Sequence, residues 1–197
     1  MSKAFLFADV ETTGLNPEKD HLLEVAWRFT DEEFRPIGAS TSLVISVWDK
    51  ATEVIAAINR NQYVSEMHRD SGLWDDLWGS GVDRWTLSAA GQAFYDHIKA
   101  VKREYESIHL AGYSVNFDRE FFRAQPTKFS WPFERDSNGS LIHHRVLDLS
   151  SVRMMMESAG LDVPVPRNDN PHRALNDVLE TIEFARESRD VLTRARF

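Results

Sequence analysis

The chain has 197 residues, enough for one domain over 1–197 with a full core, and its 42% hydrophobic content, with twelve Phe and six Trp, excludes a disordered polymer. The formal charge of −8 argues against a protein that coats long duplexes by neutralising phosphates, although an enzyme holding cations on clustered carboxylates can be acidic and still bind a short single-stranded end. With no cysteine, disulfides and thiolate metal sites are excluded, so any metal must sit on oxygen or imidazole. No apolar run approaches the ~20 residues that span a bilayer. "MSKAF" lacks an apolar leader core, so no signal peptide is expected and the expected setting is cytoplasmic.

In chain order, residues 3–10 read as a strand, 12–17 as a turn and 22–30 as a second strand. A third strand is expected over 39–47, antiparallel to the second across the short "DEEFRPIG" connection. Residues 51–77 read as helical pieces and 79–85 as a loop. Leu87, Ala90, Phe94, Ile98 and Val101 recur at helical spacing, which predicts an amphipathic helix over 86–105 capped by Thr86 or Ser88. A short apolar strand follows at 108–114. "NFDREFFRAQ" opens a helix that ends before Pro126, and "SNGS" at 137–140 signals a turn. Residues 145–149 read as a strand and 151–159 as a helix. The last helix is expected from near Pro171, with Ala174, Val178, Ile182, Ala185 and Leu192 facing inward. Antiparallel strands followed by βα alternation predict a mixed sheet flanked by helices.

Three places carry chemistry. The first is "FLFADVETTGL", an apolar strand interrupted by Asp9 and Glu11. Residues two apart on a strand face the same way, so the two anions project together. Each raises the other's pKa unless a cation neutralises them, and a divalent ion on oxygen ligands would do so. Taken alone, the pair reads equally as a solvated strand end opening an Asx-type turn. The second is Asp118, just after an apolar strand in "GYSVNFDREFF". Acids also favour a helix's first turn for dipole reasons alone. The third is "PHRALNDV". Five helical steps of about 100° would put His172 and Asp177 about 140° apart, so they share a site only if His172 lies on the turn before the helix. By itself, His172 reads as a helix-start histidine.

Together these are four carboxylates and one histidine at the ends or starts of elements, where open α/β sheets place their sites. Four carboxylates suit a pair of hard cations ~3.5–4 Å apart, the arrangement used for in-line displacement at a phosphodiester. Histidine, with a pKa near neutrality, suits the task of taking a proton from water.

At these residues the sequence resembles the DEDDh family of 3′→5′ exonucleases. "DVETTGL", "NFDREFF" and "HRALND" match the family's D-x-E, second aspartate and H-x-x-x-x-D motifs in order. The resemblance implies an α/β fold, a ribonuclease-H-like mixed five-stranded sheet flanked by helices. It implies Asp9, Glu11, Asp118 and Asp177 as ligands of two divalent ions, Mg²⁺ or Mn²⁺, and His172 as the base. Other stretches look like the oligoribonuclease branch: "MHRDSGL", the G-x-S spacing of "GYSVNFDREF", and "HRVLDLSS". By that match Thr12, Gly14, Leu15, Tyr63, His68, Ser114 and Arg145 are substrate-binding candidates. Tyr63 would stack on a base, Leu15 would wedge between two bases, and Arg145 would reach across a homodimer. The sequence departs from that branch in "ETTGL" for "EMTGL", in His144 for a tyrosine, in an apparent insertion "DDLWGSGVDRW", and in the approach "RNDNPHRA".

The expected activity is therefore metal-dependent hydrolysis of single-stranded or short oligonucleotides, RNA favoured, to nucleoside 5′-monophosphates. Two alternatives stand beside it: a DNA exonuclease of proofreading or repair type, and a non-catalytic nucleic-acid-binding module with the same fold. Glu24 and Asp148 read as structural acids, and the charges of 180–194 read as a solvated helix face.

Overall fold

The computed structural model describes residues 2–135 and 139–195. Its centre is the strand β1, Lys3–Thr12, whose two faces differ. Ala4, Leu6, Ala8 and Val10 pack into one apolar cluster, and Phe7 belongs to another on the opposite face. On that second face Phe5 and Phe7 are followed, at the strand's two-residue period, by Asp9 and Glu11. One face thus changes from aromatic to acidic along a single strand.

β2, Leu22–Thr30, and β3, Pro36–Ile45, extend the sheet antiparallel from β1. Asp31 ties the turn between them by accepting from the backbone N–H groups of Glu33 and Arg35 and from Arg35 Nε. β4 is the two-residue strand Arg84–Trp85, parallel to the end of β3. β5, Ser107–Gly112, and β6, Ile142–Asp148, lie parallel to β1 on its other side. The order is β4-β3-β2-β1-β5-β6. The mixed sheet is as the sequence predicts, with a sixth strand lying in the stretch read as a loop. Two residues are too few to carry any alternation, so β4 has no signature in the sequence.

α1, Ala51–Asn59, α2, Gln62–Asp70, and α3, Leu73–Trp78, follow β3. They bury Val54, Ile58, Leu73 and Leu77 against Leu23, Val44 and Val47. α4, Leu87–Lys102, starts at Thr86, whose Oγ1 accepts from the Ala89 N–H at 3.2 Å. α4 and α5, Asn116–Ala124, cover one face of the sheet through Phe94, Phe121 and Phe122, together with Trp27 and Phe129. Phe94 and Phe122 stack with ring centroids 4.8 Å apart. α6, Leu149–Ser158, and α7, Ala174–Arg194, cover the other face.

Three local expectations shift. β3 begins at Pro36 rather than 39. α7 begins at Ala174, because the residues before it form a turn around His172. Leu192 does not face inward. It is 44% exposed on the rim of a groove with Phe5 and Val152, while Phe184 and Ser188 turn into the core. The turn expected at 137–140 lies partly outside the described residues. No helix among the described residues is long and apolar enough to cross a membrane.

Candidate active site

The acidic end of β1 is met by three other pieces of chain. β5 runs parallel to β1 and ends at Gly112. A Cβ there would lie 3.3 Å from the Ala8 carbonyl oxygen, so the chain passes close to β1 before turning through Ser114 into α5. That turn places Asp118 in the first turn of α5, 3% exposed, with Oδ1 accepting from the Val10 N–H at 3.1 Å. The opening of α7 brings Asp177, whose Oδ1 accepts from Asn168 Nδ2 at 2.6 Å and whose Oδ2 accepts from the His172 N–H at 3.1 Å. His172 lies on the turn before the helix with φ 63°, as the spacing requires.

One ligand atom each from Glu11, His172 and Asp177 lies within 4.8 Å of the others. Asp9 and Asp177 face each other across a cavity of about 360 Å³ that also takes in Tyr113, Arg153, Val165 and Phe184. All four carboxylates titrate above the usual carboxylate range. Burial pushes Glu11 up to about 8, and the charges of Asp177 and Glu24 add to it while Arg173 opposes it. Asp118 is pushed up to about 8 by burial, against the hydrogen bonds it accepts from its own N–H and that of Val10. Asp9 is raised by burial and then by Asp118, Glu11 and Asp177, and Asp177 is raised mainly by burial. A buried set of mutually repelling oxygen donors beside an imidazole fits a hard divalent cation, whose charge would offset the repulsion among them and the cost of burying their ionised forms.

The substrate candidates distribute unevenly. Thr12 is buried, its Oγ1 donating to the Gly14 carbonyl at 2.6 Å, and so shapes the turn. A Cβ on Gly14 would lie 2.6 Å from the Asp20 carboxylate, so a side chain there would displace the group that ties the turn to Thr13 and Asn16. Leu15, on the same turn, is 79% exposed. Tyr63 is also exposed and shares a cavity of about 460 Å³ with Asp70, Ser71, Asn170 and His172. Ser114 is exposed at the turn before α5. Arg145 is not brought to the acids. It is exposed on β6, the edge strand of the sheet, and lines none of the cavities around them. His68 is fully buried, its Nε2 2.9 Å from the Thr12 carbonyl oxygen and its Nδ1 3.9 Å from Glu11 Oε2. It braces the turn from beneath and in this structure offers no surface to a ligand.

Asp148 caps α6 by accepting from the Ser150 N–H, and Glu24 pairs with Arg173, so both acids serve structure as expected. The sequence reading missed Arg173, Asn168, Tyr113 and Arg153. A signal for Arg173 existed. Glu24 interrupts the otherwise apolar "LLEVAW", and a buried acid needs a cationic partner.

No protein-family model matches the chain. The backbone is similar to a crystal structure of E. coli exonuclease I in complex with a dT13 oligonucleotide, with TM-score 0.62 at 19% identity. That likeness covers 98% of this chain and 42% of exonuclease I, so the chain spans less than half of that enzyme's length. It defines the class as a ribonuclease-H-like α/β fold. The oligoribonuclease of Tropheryma whipplei (strain Twist) is 31% identical over 186 residues, 90% of this chain and 86% of that protein. The oligoribonuclease of Streptomyces griseus is 31% identical over 196 residues, 98% of this chain and 88% of that protein. The chain belongs to the oligoribonuclease family.

Proposed function

We propose that this chain is a 3′→5′ exonuclease that hydrolyses short single-stranded oligonucleotides, RNA in preference to DNA, to nucleoside 5′-monophosphates. The observation that carries this reading is the meeting of Asp9, Glu11, Asp118, His172 and Asp177 at one end of β1, from elements far apart in sequence. Asp9, Glu11, Asp118 and Asp177 would hold two ions, Mg²⁺ or Mn²⁺, which when bound offset the acids' repulsion and the charge that grows on the phosphoryl oxygens.

The chain's own residues supply the rest. His172 sits half-buried on a backbone turn tied to Asp177, close enough to the acids to take the proton of the attacking water. Asn168 and the His172 N–H hold both oxygens of Asp177, fixing its orientation. Tyr63 lines a cavity together with His172 and Leu15 is exposed on the turn after β1, and such an aromatic ring and apolar wedge can grip bases irrespective of sequence. Stacking of this kind contributes ~1–3 kcal/mol per base. The acidic surroundings, in a chain of net charge −8, disfavour a long polyanion and so favour a short one. Family membership supports a cytoplasmic homodimer, with exposed Arg145 reaching the second copy.

The test is a time course with Mg²⁺ or Mn²⁺ on 5′-labelled RNA dinucleotide, longer RNA and matching DNA, with Asp118→Ala as the blank. Fast cleavage of the dinucleotide and slow attack on longer chains is the expected result. Preference for DNA ends would make this a DNA exonuclease with the same chemistry. Absence of turnover on all three substrates, with metal bound, would leave a binding module.

A further inference from the structure

The chain between β3 and β4, which includes α1, α2 and α3, carries none of the acidic motifs, yet it touches the site at three points. His68 of α2 meets the Thr12 carbonyl. Asn170, two residues before His172, donates through Nδ2 to the Ser71 carbonyl at 3.4 Å. The third link is the strongest. Arg173 Nη2 lies 2.7 Å from Asp76 Oδ2 on α3. The same guanidinium grips Glu24 with two prongs, Nε to Oε2 at 3.2 Å and Nη2 to Oε1 at 3.1 Å. Glu24 is 1% exposed and also accepts from the Ala174 N–H at 3.0 Å and from Ser42 Oγ at 3.1 Å. Arg84 of β4 holds the other end of the link by donating through Nε to the Asp76 carbonyl at 2.8 Å.

This linkage answers two physical demands. Glu24 pairs directly with Glu11 across β1 and β2, so two acids lie side by side in the interior. Arg173 supplies the opposite charge that a buried carboxylate requires. The second demand is conformational. His172 is a non-glycine residue at φ 63°, in the left-handed region, a conformation that persists only where the surroundings impose it. Before the helix, its N–H is held by Asp177 Oδ2. After it, the Arg173 side chain and the Ala174 N–H are both fastened to Glu24, and the Arg173 carbonyl accepts from the Asn176 N–H at 2.8 Å.

We propose that Arg173 is a positioning residue for His172: bridged between Glu24 of β2 and Asp76 of α3, it holds the backbone of the α7 approach in the conformation that sets the imidazole beside Glu11 and Asp177. The inference rests on the reading of His172 as the proton acceptor. It makes α3 part of the support of the reacting centre.

The test uses Arg173→Ala, Arg173→Lys and Asp76→Asn in the full chain. Steady-state kinetics on the RNA dinucleotide are read together with the ¹H–¹³C resonance of the His172 imidazole. Loosening the base by a fraction of an ångström should lower kcat of Arg173→Ala about 10- to 100-fold, with KM little changed. Asp76→Asn should give a smaller drop in the same direction, and Arg173→Lys should restore part of the rate. The His172 resonance should move in all three. Asp76 is partly exposed, so Asp76→Asn folds and decides the matter if Arg173→Ala does not. A lower melting temperature with kcat and the His172 resonance at wild-type values would overturn the proposal and leave Arg173 purely structural. If wild-type protein turns over no oligonucleotide, the functional reading fails, and an unmoved resonance in Asp76→Asn then overturns the clamp separately.

Discussion

Replacing Asp118 by Asn should stabilise the metal-free protein while abolishing turnover, and the gain should depend on pH. Asp118 is 3% exposed, and its carboxyl is raised from the ordinary 3.8 to about 8. A carboxyl raised on folding binds a proton in the folded state between those two values. Its contribution to stability is therefore fully present below pH 3.8 and is lost as pH rises through about 8. At about 1.4 kcal/mol per pH unit, the full cost of burying the ionised group is roughly 5–6 kcal/mol. At pH 5 it is only roughly 1–2 kcal/mol by the same conversion. Asn keeps an oxygen for the Val10 N–H and carries no charge, so it escapes the penalty. For a chain of this size 1 kcal/mol corresponds to about 2–4 °C, so in chelator at pH 9 the variant should melt roughly 10–20 °C above wild type. At pH 5 the difference should shrink to roughly 2–8 °C. Saturating Mn²⁺ should raise wild type and narrow the gap by about half, since a ligand at 100 times its Kd contributes about 2.7 kcal/mol. The assay is calorimetric melting of both proteins at the two pH values, with and without Mn²⁺. A gain equal at pH 5 and pH 9, or an Asn variant less stable at pH 9, would falsify the picture of Asp118 as a strained, buried carboxylate.

Three further outcomes are expected. His172→Ala should lower single-turnover rates about 10²- to 10⁴-fold, the range for a lost proton acceptor, while titration calorimetry finds divalent-ion affinity changed far less. Equal losses in rate and ion affinity would make His172 a ligand instead. Leu15→Ala should leave the unfolding free energy within ~0.5 kcal/mol of wild type, because the side chain is 79% exposed. It should raise KM for the dinucleotide, and an unchanged KM would remove Leu15 from the substrate's path. His68→Ala should cost about 2–5 kcal/mol in denaturant unfolding, since it opens a cavity and leaves the buried Thr12 carbonyl without its donor. A shift under ~0.5 kcal/mol, with KM strongly raised, would return His68 to the role of a substrate contact.

Much of the architecture follows from local pattern. Residues of β1 divide between two clusters with period two, Ala4, Leu6, Ala8 and Val10 on one face and Phe5 and Phe7 on the other, so the shared orientation of Asp9 and Glu11 was legible before any fold was known. The same holds for α4, whose apolar spacing and Thr86 cap are complete within its own residues. Helix geometry required His172 to lie outside α7 if it shares a site with Asp177, although the helix itself was expected from near Pro171 rather than from Ala174. β4 and the exposure of Leu192 escaped, since a two-residue ladder and the rim of a groove leave no periodic trace.

What the linear order of residues determined by itself was the chemistry available: four acids and a histidine at the ends of elements, with no thiol to compete for metal. Only the tertiary structure decided which groups support them. Arg173 and Glu24 are 149 positions apart, His68 and Thr12 are 56 apart, and Asn170 and Ser71 are 99 apart. The local sequence around one partner does not identify the other. Their pairing depends on burial, which removes water and makes an unpartnered charge or carbonyl costly, and burial is a property of the packed chain.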